Sequence, residues 1–247
     1  MSRVRRLCRI DRLGCANCRS RTFSFSPVIS DSLATSWELS RRERAHFDLR
    51  EGHACSHCRM SCRVRMLLWS LKRILSPHQP LAILHLNQTN ELSEPLSRAG
   101  SLTETAFAPT EPRGEMIHGL SNQDMTRLTF GDCSFDLVIH SETLEHIDNY
   151  ELALREAHRV LRPGGYQVYT IPLIHRRATR QRIKLEPSGE PVYLHPLSCH
   201  GNEGEYPVFW EFGGDFLRMR RDQIFEIHYD NFWLNPTVFT VVEQKAL

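Results

Sequence analysis

Residues 131–172, GDCSFDLVIHSETLEHIDNYELALREAHRVLRPGGYQVYTIP, constrain the fold more than any other stretch of this chain. Residues 135–140 (FDLVIH) form a short, almost continuous apolar run, as expected of a strand buried on both faces of a parallel sheet. Ser141 and Glu142 break the run where such a strand would release the chain at its carboxyl end. Asp148 stands three residues before Glu151, the spacing of a capping box, and predicts a helix start there. Tyr150, Ala153, Leu154, Ala157, Val160 and Leu161 then recur at helical spacing and predict one buried face. Pro163, Gly164 and Gly165 predict its end, since proline lacks an amide hydrogen and glycine accepts a left-handed turn. Residues 166–171 read as the next strand. Strand, loop, helix, turn and strand make the crossover from which parallel sheets are built.

A chain of 247 residues accommodates one α/β domain of ordinary size plus a small appendage. No apolar run approaches the ~20 residues a bilayer requires, so no spanning helix is expected. The arginine-rich start lacks an apolar core and is not read as a secretory signal, which leaves a cytoplasmic protein as the expectation. Charge is uneven. Residues 1–75 hold 16 Lys/Arg and 6 Asp/Glu, the remainder 15 and 23. Such a split marks either a nucleic-acid-facing appendage or a solvated arginine-rich surface. Aromatic residues do not interleave regularly with the arginines, which argues against a stacking platform.

Six of the eight cysteines precede residue 63. Cys15 and Cys18, then Cys55 and Cys58, form two C-x2-C turns, each able to offer two thiolates to a tetrahedral zinc. Residues 22–28 (TFSFSPV) alternate like a strand between the knuckles. Reduced free cysteines are the plain alternative, and Cys8, Cys62 and His57 are nearby substitute ligands. Four thiolates leave no open coordination position, so the role expected of the metal is structural. Residues 59–75 then present Met60, Val64, Leu67, Leu68, Leu71 and Leu75 along one helical face. The break at residues 76–80 (SPHQP) divides the chain into a cysteine module, 1–75, and a sheet domain, 76–247.

FDLVIHSETLEHI followed by ALREAHRVLRPGG resembles the class I S-adenosylmethionine-dependent methyltransferases, in particular the methyltransferase type 11 group. A paired cysteine module before an apolar helix is similar to the start of several members. The resemblance implies a doubly wound, mostly parallel seven-stranded sheet, S-adenosylmethionine as cofactor, and methyl transfer to an acceptor that no residue here identifies, small molecule or macromolecule. It implies that Leu86 and Asn87, in the loop after a first strand at 81–86, border the cofactor. That loop has no glycine, although asparagine tolerates a left-handed turn. It further implies Glu104 on the ribose hydroxyls, Asp124 on the adenine amine after a short third strand at 116–119, and Met125 against the ring. His140 and Ser141 would border the methionine portion.

Methyl transfer is an in-line displacement that demands alignment, with a base where the acceptor is a hydroxyl or amine. His140, His146 and His200 are the candidate bases, each with a purely structural histidine as the alternative. Residues 180–186 and 191–195 look like a hairpin, and residues 206–216 like a covering segment. Trp210 and Phe212 either wall an acceptor pocket or pack in the core. Arg176, Arg177, Arg180 and Arg182 either draw an anionic acceptor or form a solvated basic loop. Residues 224–229 and 237–243 suit an antiparallel edge pair. Two rival readings remain: a catalytically inactive relative whose zinc module binds a partner, and a zinc-ribbon nucleic-acid binder or nucleic-acid methyltransferase, suggested by the basic segment.

Overall fold

Residues 135–140 do form a strand buried on both faces: Leu137 and Ile139 enter one core cluster and Val138 the other. The computed structural model describes residues 3–75, 79–200, 206–219, 224–229 and 236–247. The cysteine-containing third comprises β1 (Arg3–Arg9), β2 (Phe23–Phe25), α1 (Asp31–Ser36), α2 (Arg41–Gly52), β3 (His53–Cys55) and α3 (Cys62–Leu71). After it come β4 (Leu81–Leu86), α4 (Asn90–Ser97), β5 (Gly100–Ala106), β6 (Met116–Ile117) and β7 (Leu120–Asn122). The crossover itself is β8 (Phe135–Ser141), α5 (Tyr150–Val160) and β9 (Leu161–Thr170). Short strands β10 (Arg180–Gln181), β11 (Ile183–Leu185), β12 (Pro191–Tyr193), β13 (Cys199–His200), β14 (Tyr206–Pro207) and β15 (Trp210–Glu211) precede α6 (Phe216–Met219). β16 (Ile224–Tyr229) and β17 (Pro236–Gln244) close the chain.

The main sheet runs β1-β16-β17-β9-β8-β4-β5-β7-β6. From β9 through β7 its pairs are parallel, and β17 lies antiparallel between β9 and β16. Without the outermost β1 and β6 it has the seven-stranded, doubly wound order of a class I methyltransferase sheet. The chain leaves β4 toward β5 on one side, while β8 flanks β4 on the other. The carboxyl end of β4 is therefore the switch point beside which open α/β sheets bind ligands.

Two cores sandwich the sheet. Ala153, Leu154 and Ala157 of α5 pack on Leu84, Val138 and Tyr169. Leu67, Leu68 and Leu71 of α3, with Leu92 and Leu96 of α4, pack on Ile83, Leu137, Ile139 and Val168. Leu71 is fully buried there. Leu71→Ala is expected to cost about 2–5 kcal/mol, the range for a cavity in a closely packed core, read as a lowered urea midpoint at unchanged m-value.

Several expected boundaries move. Asn149, not Asp148, caps α5, its side chain accepting the Leu152 amide. Asp148 instead accepts from Gln181 and the Leu185 amide. α5 stops at Val160, and β9 already begins at Leu161, with Pro163 and the left-handed Gly164 inside it. The third parallel strand is Leu120–Asn122; Met116–Ile117 is its antiparallel hairpin partner. The hairpin of β11 with β12 and the antiparallel pair of β16 with β17 stand where expected.

The cysteine module shares a core with the sheet. Its Ala16 and Met60 join the cluster that contains Ile83 and Leu137, and β1 pairs in parallel with β16 at the sheet edge. Residues 76–78, at the expected domain boundary, lie outside the described residues.

Candidate functional site

Each cysteine pair sits on the same local turn. The Cys15 amide bonds to the Ser20 carbonyl and the Arg19 amide to the Cys15 carbonyl; Cys55, Met60 and Arg59 repeat this arrangement. Arg19 and Arg59, each directly after the second cysteine of its pair, take φ of 62° and 65°. β2 pairs with β3, so Phe23 lies opposite Cys55. The four Sγ atoms of Cys15, Cys18, Cys55 and Cys58 lie within 4.8 Å of one another. Cys15 and Cys58 approach to 3.4 Å, Cys18 and Cys55 to 3.5 Å. Tetrahedral zinc thiolates, with bonds of ~2.3 Å, stand about 3.8 Å apart, so the donor set fits a metal ion. Burial pushes the Cys15 thiol up to about 12. Burial would also raise Cys55, but hydrogen bonds from the Cys58 and His57 amides outweigh it and bring that thiol to about 6. Cys62 is not a ligand: it is buried against Ile10, Met66 and Val238. His57 is exposed and outside the cluster, and the side chain of Cys8 lies outside the described residues.

The module reaches from this centre to the switch-point rim. Trp69 Nε1 of α3 donates to the Gly14 carbonyl at 3.0 Å beside the first knuckle. Arg65, fully buried, lies over the Phe23 ring at 4.3 Å and donates to the His53 carbonyl at 3.0 Å. At the rim, Arg50 donates to both carboxylate oxygens of Glu142, at 2.6 and 2.5 Å, and to the Ile171 carbonyl at 3.1 Å. Arg63 donates to Ser141 Oγ at 2.6 Å and to Glu51. Glu142 holds a left-handed backbone, φ 52°. Burial works to raise its carboxyl, and the Arg50 and Arg63 charges overcome this, leaving it below the usual carboxylate range. Three arginines of residues 1–75 are held in ion pairs, Arg44 with Asp31, Arg50 with Glu142 and Arg63 with Glu51, but only the Arg50 pair draws an acid from outside that segment.

Directly after β4, Asn87 is exposed and left-handed at φ 53°, the turn that asparagine tolerates. Its amide bonds to Thr105 Oγ1 at 3.2 Å and the Gln88 amide to the Thr105 carbonyl at 2.9 Å. The Thr89 amide bonds to His85 Nε2 at 3.2 Å, so His85 carries its proton on Nδ1 and donates it to Glu104, also at 3.2 Å. Glu104 accepts in addition from Ser93 at 2.6 Å and Gln88 at 3.0 Å. A carboxylate offers about four acceptor positions, which leaves one. Asp124 folds Oδ1 onto the amide and hydroxyl of Thr126; its Oδ2 has no partner among the described residues. Leu86 and Met125 are buried in the α5-side core.

On the opposite side of β4, His140 does not reach the rim. It is fully buried, stacked on Tyr169 at 4.6 Å, with Nε2 3.1 Å from Gln167. Burial pushes its pKa down to about 3. The expected base role is corrected: β8 is buried on both faces and the ring packs on Tyr169 and Gln167 of β9, where no acceptor can hand it a proton. Ser141 is buried between Arg63 and Thr170. His146 lies in the short 3₁₀ turn Leu144–His146 and is partly exposed. Its Nδ1 is 2.9 Å from the Pro207 carbonyl, which fixes the proton on Nδ1 and makes Nε2 the basic nitrogen. Burial lowers its pKa, although that carbonyl and Glu142 counteract. Glu145 is buried 3.7 Å from His146 Nε2; burial, then the Glu142 charge, raises its carboxyl well above the usual range. His200 lies in β13, but its side chain is outside the described residues.

Of Arg176, Arg177, Arg180 and Arg182, only Arg176 is left exposed without an acid partner among the described residues. Arg177 pairs with Glu43, Arg180 with Glu38 and Glu211, and the buried Arg182 with Glu211. Trp210 and Phe212 pack edge-on against Tyr150 at 5.1 and 5.2 Å, and Trp210 Nε1 donates to the Asp148 carbonyl, so both serve the core. Sequence reasoning passed over Arg50, Arg63, Glu142 and Glu145. Only Glu145 carried a local signal, as the middle residue of LEH.

The family model "Methyltransferase domain" matches residues 101–169. A protein of Encephalitozoon cuniculi named as a methyltransferase is 26% identical over 129 residues, 51% of this chain and 60% of its own. Demethylmenaquinone methyltransferase of Mycobacterium tuberculosis is 55% identical over 42 residues, 17% of this chain and 18% of its own. The chain thus spans less than two thirds of the curated relatives it matches. Among solved structures, an S-adenosylmethionine-dependent methyltransferase of Methanosarcina mazei aligns with TM-score 0.45 at 16% identity, covering 72% of this chain and 97% of that one. A 1,6-didemethyltoxoflavin-N1-methyltransferase of Burkholderia thailandensis aligns with TM-score 0.43 at 13% identity, covering 91% and 95%. The family model lies across β5 to β9, and the strand order of the sheet is that of the class I, Rossmann-like methyltransferase fold.

Proposed function

We propose that this protein is an S-adenosylmethionine-dependent methyltransferase of a reducing, cytoplasmic compartment, stabilised by a structural zinc on Cys15, Cys18, Cys55 and Cys58. The observation that carries this reading is a pair of carboxylates at the ends of β5 and β7, Glu104 and Asp124, each with acceptor capacity to spare. S-adenosylmethionine supplies an electrophilic methyl group when bound. Glu104 then accepts from a ribose hydroxyl and Asp124 Oδ2 from the adenine amine, while the Asn87 turn bounds the other side. His146 Nε2 takes the acceptor's proton, and the Pro207 carbonyl holds its ring in the required tautomer.

S-adenosylhomocysteine binding by calorimetry tests this directly. Asp124→Ala is expected to weaken it about tenfold, the worth of one hydrogen bond to a ligand. No heat at millimolar ligand would overturn the proposal. With an acceptor in hand, His146→Gln is expected to lower kcat about 10²–10⁴-fold. Because a base must be unprotonated, wild-type activity should hold at neutral pH and fall only as pH drops below the ordinary histidine value of ~6.5. A kcat unchanged in His146→Gln would remove this residue from the mechanism.

A second reading, an inactive scaffold, is favoured by one observation. The amides of Asn87, Gln88 and Thr89 are all engaged within the protein, leaving no backbone donors there for a ligand carboxylate. The same calorimetry separates the two. Nucleic-acid binding, the reading suggested by the basic excess of residues 1–75, would show as an affinity that falls steeply with salt.

A further inference from the structure

We infer that the cleft between α2 and the chain leaving β9 is the methyl-acceptor site, and that it takes a small organic anion with a flat apolar body. In calling the ligand an acceptor this rests on the methyltransferase reading; the anion selectivity stands on its own. The cleft has a volume of about 160 Å³. Phe47, Leu173 and Ile174, all buried, supply its apolar surface. Trp37 backs them, meeting Phe47 edge-on at 5.6 Å, so the floor is firmly packed. Arg42 and Arg176 also line it, and both are exposed.

Charge decides the ligand class. Glu43, the one acid of the lining, is committed elsewhere: Arg177 holds both its oxygens at 3.0 and 2.9 Å, and the Ser40 amide and hydroxyl add further bonds at 2.8 Å. Burial opposes its ionisation, but Arg177 and Ser40 prevail and bring that carboxyl to about 2. Arg42 and Arg176 have no carboxylate partner among the described residues; Arg176 meets only the neighbouring His175 ring, at 3.3 Å. Two unneutralised guanidinium groups above an apolar floor match a carboxylate or similar anion whose ring enters the cleft. The location suits an acceptor. Ile171, two residues before Leu173, gives its carbonyl to Arg50, the residue that grips Glu142 at the end of β8. The amino-terminal module would thereby contribute α2 as one wall of the acceptor site.

The test uses the full-length, zinc-loaded chain in calorimetry with benzoate and its neutral isostere benzamide, with and without saturating S-adenosylhomocysteine. Benzoate should bind, and benzamide about tenfold or more weaker, since only the anion makes charge-assisted bonds. The Arg42→Gln/Arg176→Gln variant alters two exposed side chains outside the core. It should lose about tenfold in benzoate affinity while binding S-adenosylhomocysteine as before. Equal affinity for benzoate and benzamide, no benzoate uptake, or indifference to the double substitution would overturn the inference. Benzoate binding that obeys the charge pattern in a protein that ignores S-adenosylhomocysteine would uphold the anion site and sink the methyltransferase reading instead.

Discussion

Cys55→Ser is expected to abolish zinc retention and to lower the melting temperature by about 10 °C or more. Structural zinc contributes about 10–16 kcal/mol to the folding of isolated finger peptides, because the site does not exist in the unfolded chain. With the proposed zinc in place that energy would act on a hairpin with little core of its own: β2 and β3 have three residues each, and Phe25 is exposed. The effect should spread further, since Cys55 follows α2 by three residues and Cys58 precedes α3 by four. Those helices deliver Arg50 to Glu142 and Arg63 to Ser141. The loss is therefore not expected to remain local. Elemental analysis and thermal unfolding are the measurements, with Cys133→Ser, exposed and outside the cluster, as the control. A Cys55→Ser protein that keeps its metal and its melting temperature would remove the metal centre from the account.

Arg50→Met is expected to destabilise the protein by about 3–5 kcal/mol, because it leaves Glu142 buried without its bidentate partner. The Arg50 side chain is 3% exposed and that of Glu142 17%, so water cannot replace the lost bonds well. Adding Glu142→Gln should recover much of the loss, since the uncompensated charge rather than the missing attraction causes most of it. The pH dependence has a definite sign. In the wild type the Glu142 carboxyl lies below its unfolded value, so the pair contributes above that value and its contribution fades as pH falls through the folded one. In Arg50→Met burial is opposed less, the carboxyl moves up, and the deficit should be largest near neutrality and shrink toward ~pH 4 as Glu142 takes a proton. Denaturant titrations of wild type, Arg50→Met, Glu142→Gln and the double variant at two pH values measure this. A deficit independent of pH would place the effect in packing and not in the charge.

The two largest effects differ in how visible they were beforehand. The cysteine knuckles are local: a C-x2-C turn fixes two sulfurs within a few residues, and repeating it supplies the other two. The crossover was equally legible, because apolar spacing and a terminating Pro-Gly-Gly act over one strand or helix. Helix capping shows where locality fails. Asp148 had the right spacing, but Gln181 and the Leu185 amide recruit it, and Asn149 caps in its place. His140 shows the same limit differently. In a strand buried on both faces every residue looks alike in sequence, and only the position of Tyr169 shows that this ring is stacked inside.

By itself the sequence determined the strand–helix–strand crossover and the two cysteine turns, because each rests on interactions between near neighbours or on a periodicity that the fold must obey; the order of the sheet was implied only by the family resemblance. The Arg50–Glu142 clamp, the Glu104 network and the cationic cleft were decided only by the tertiary structure. Arg50 and Glu142 are 92 positions apart, and Arg63 and Ser141 78, distances at which a charged residue gives no sign of its partner. Folding takes these charges out of water, and a buried charge is tolerated only where the packed chain happens to bring its opposite within reach.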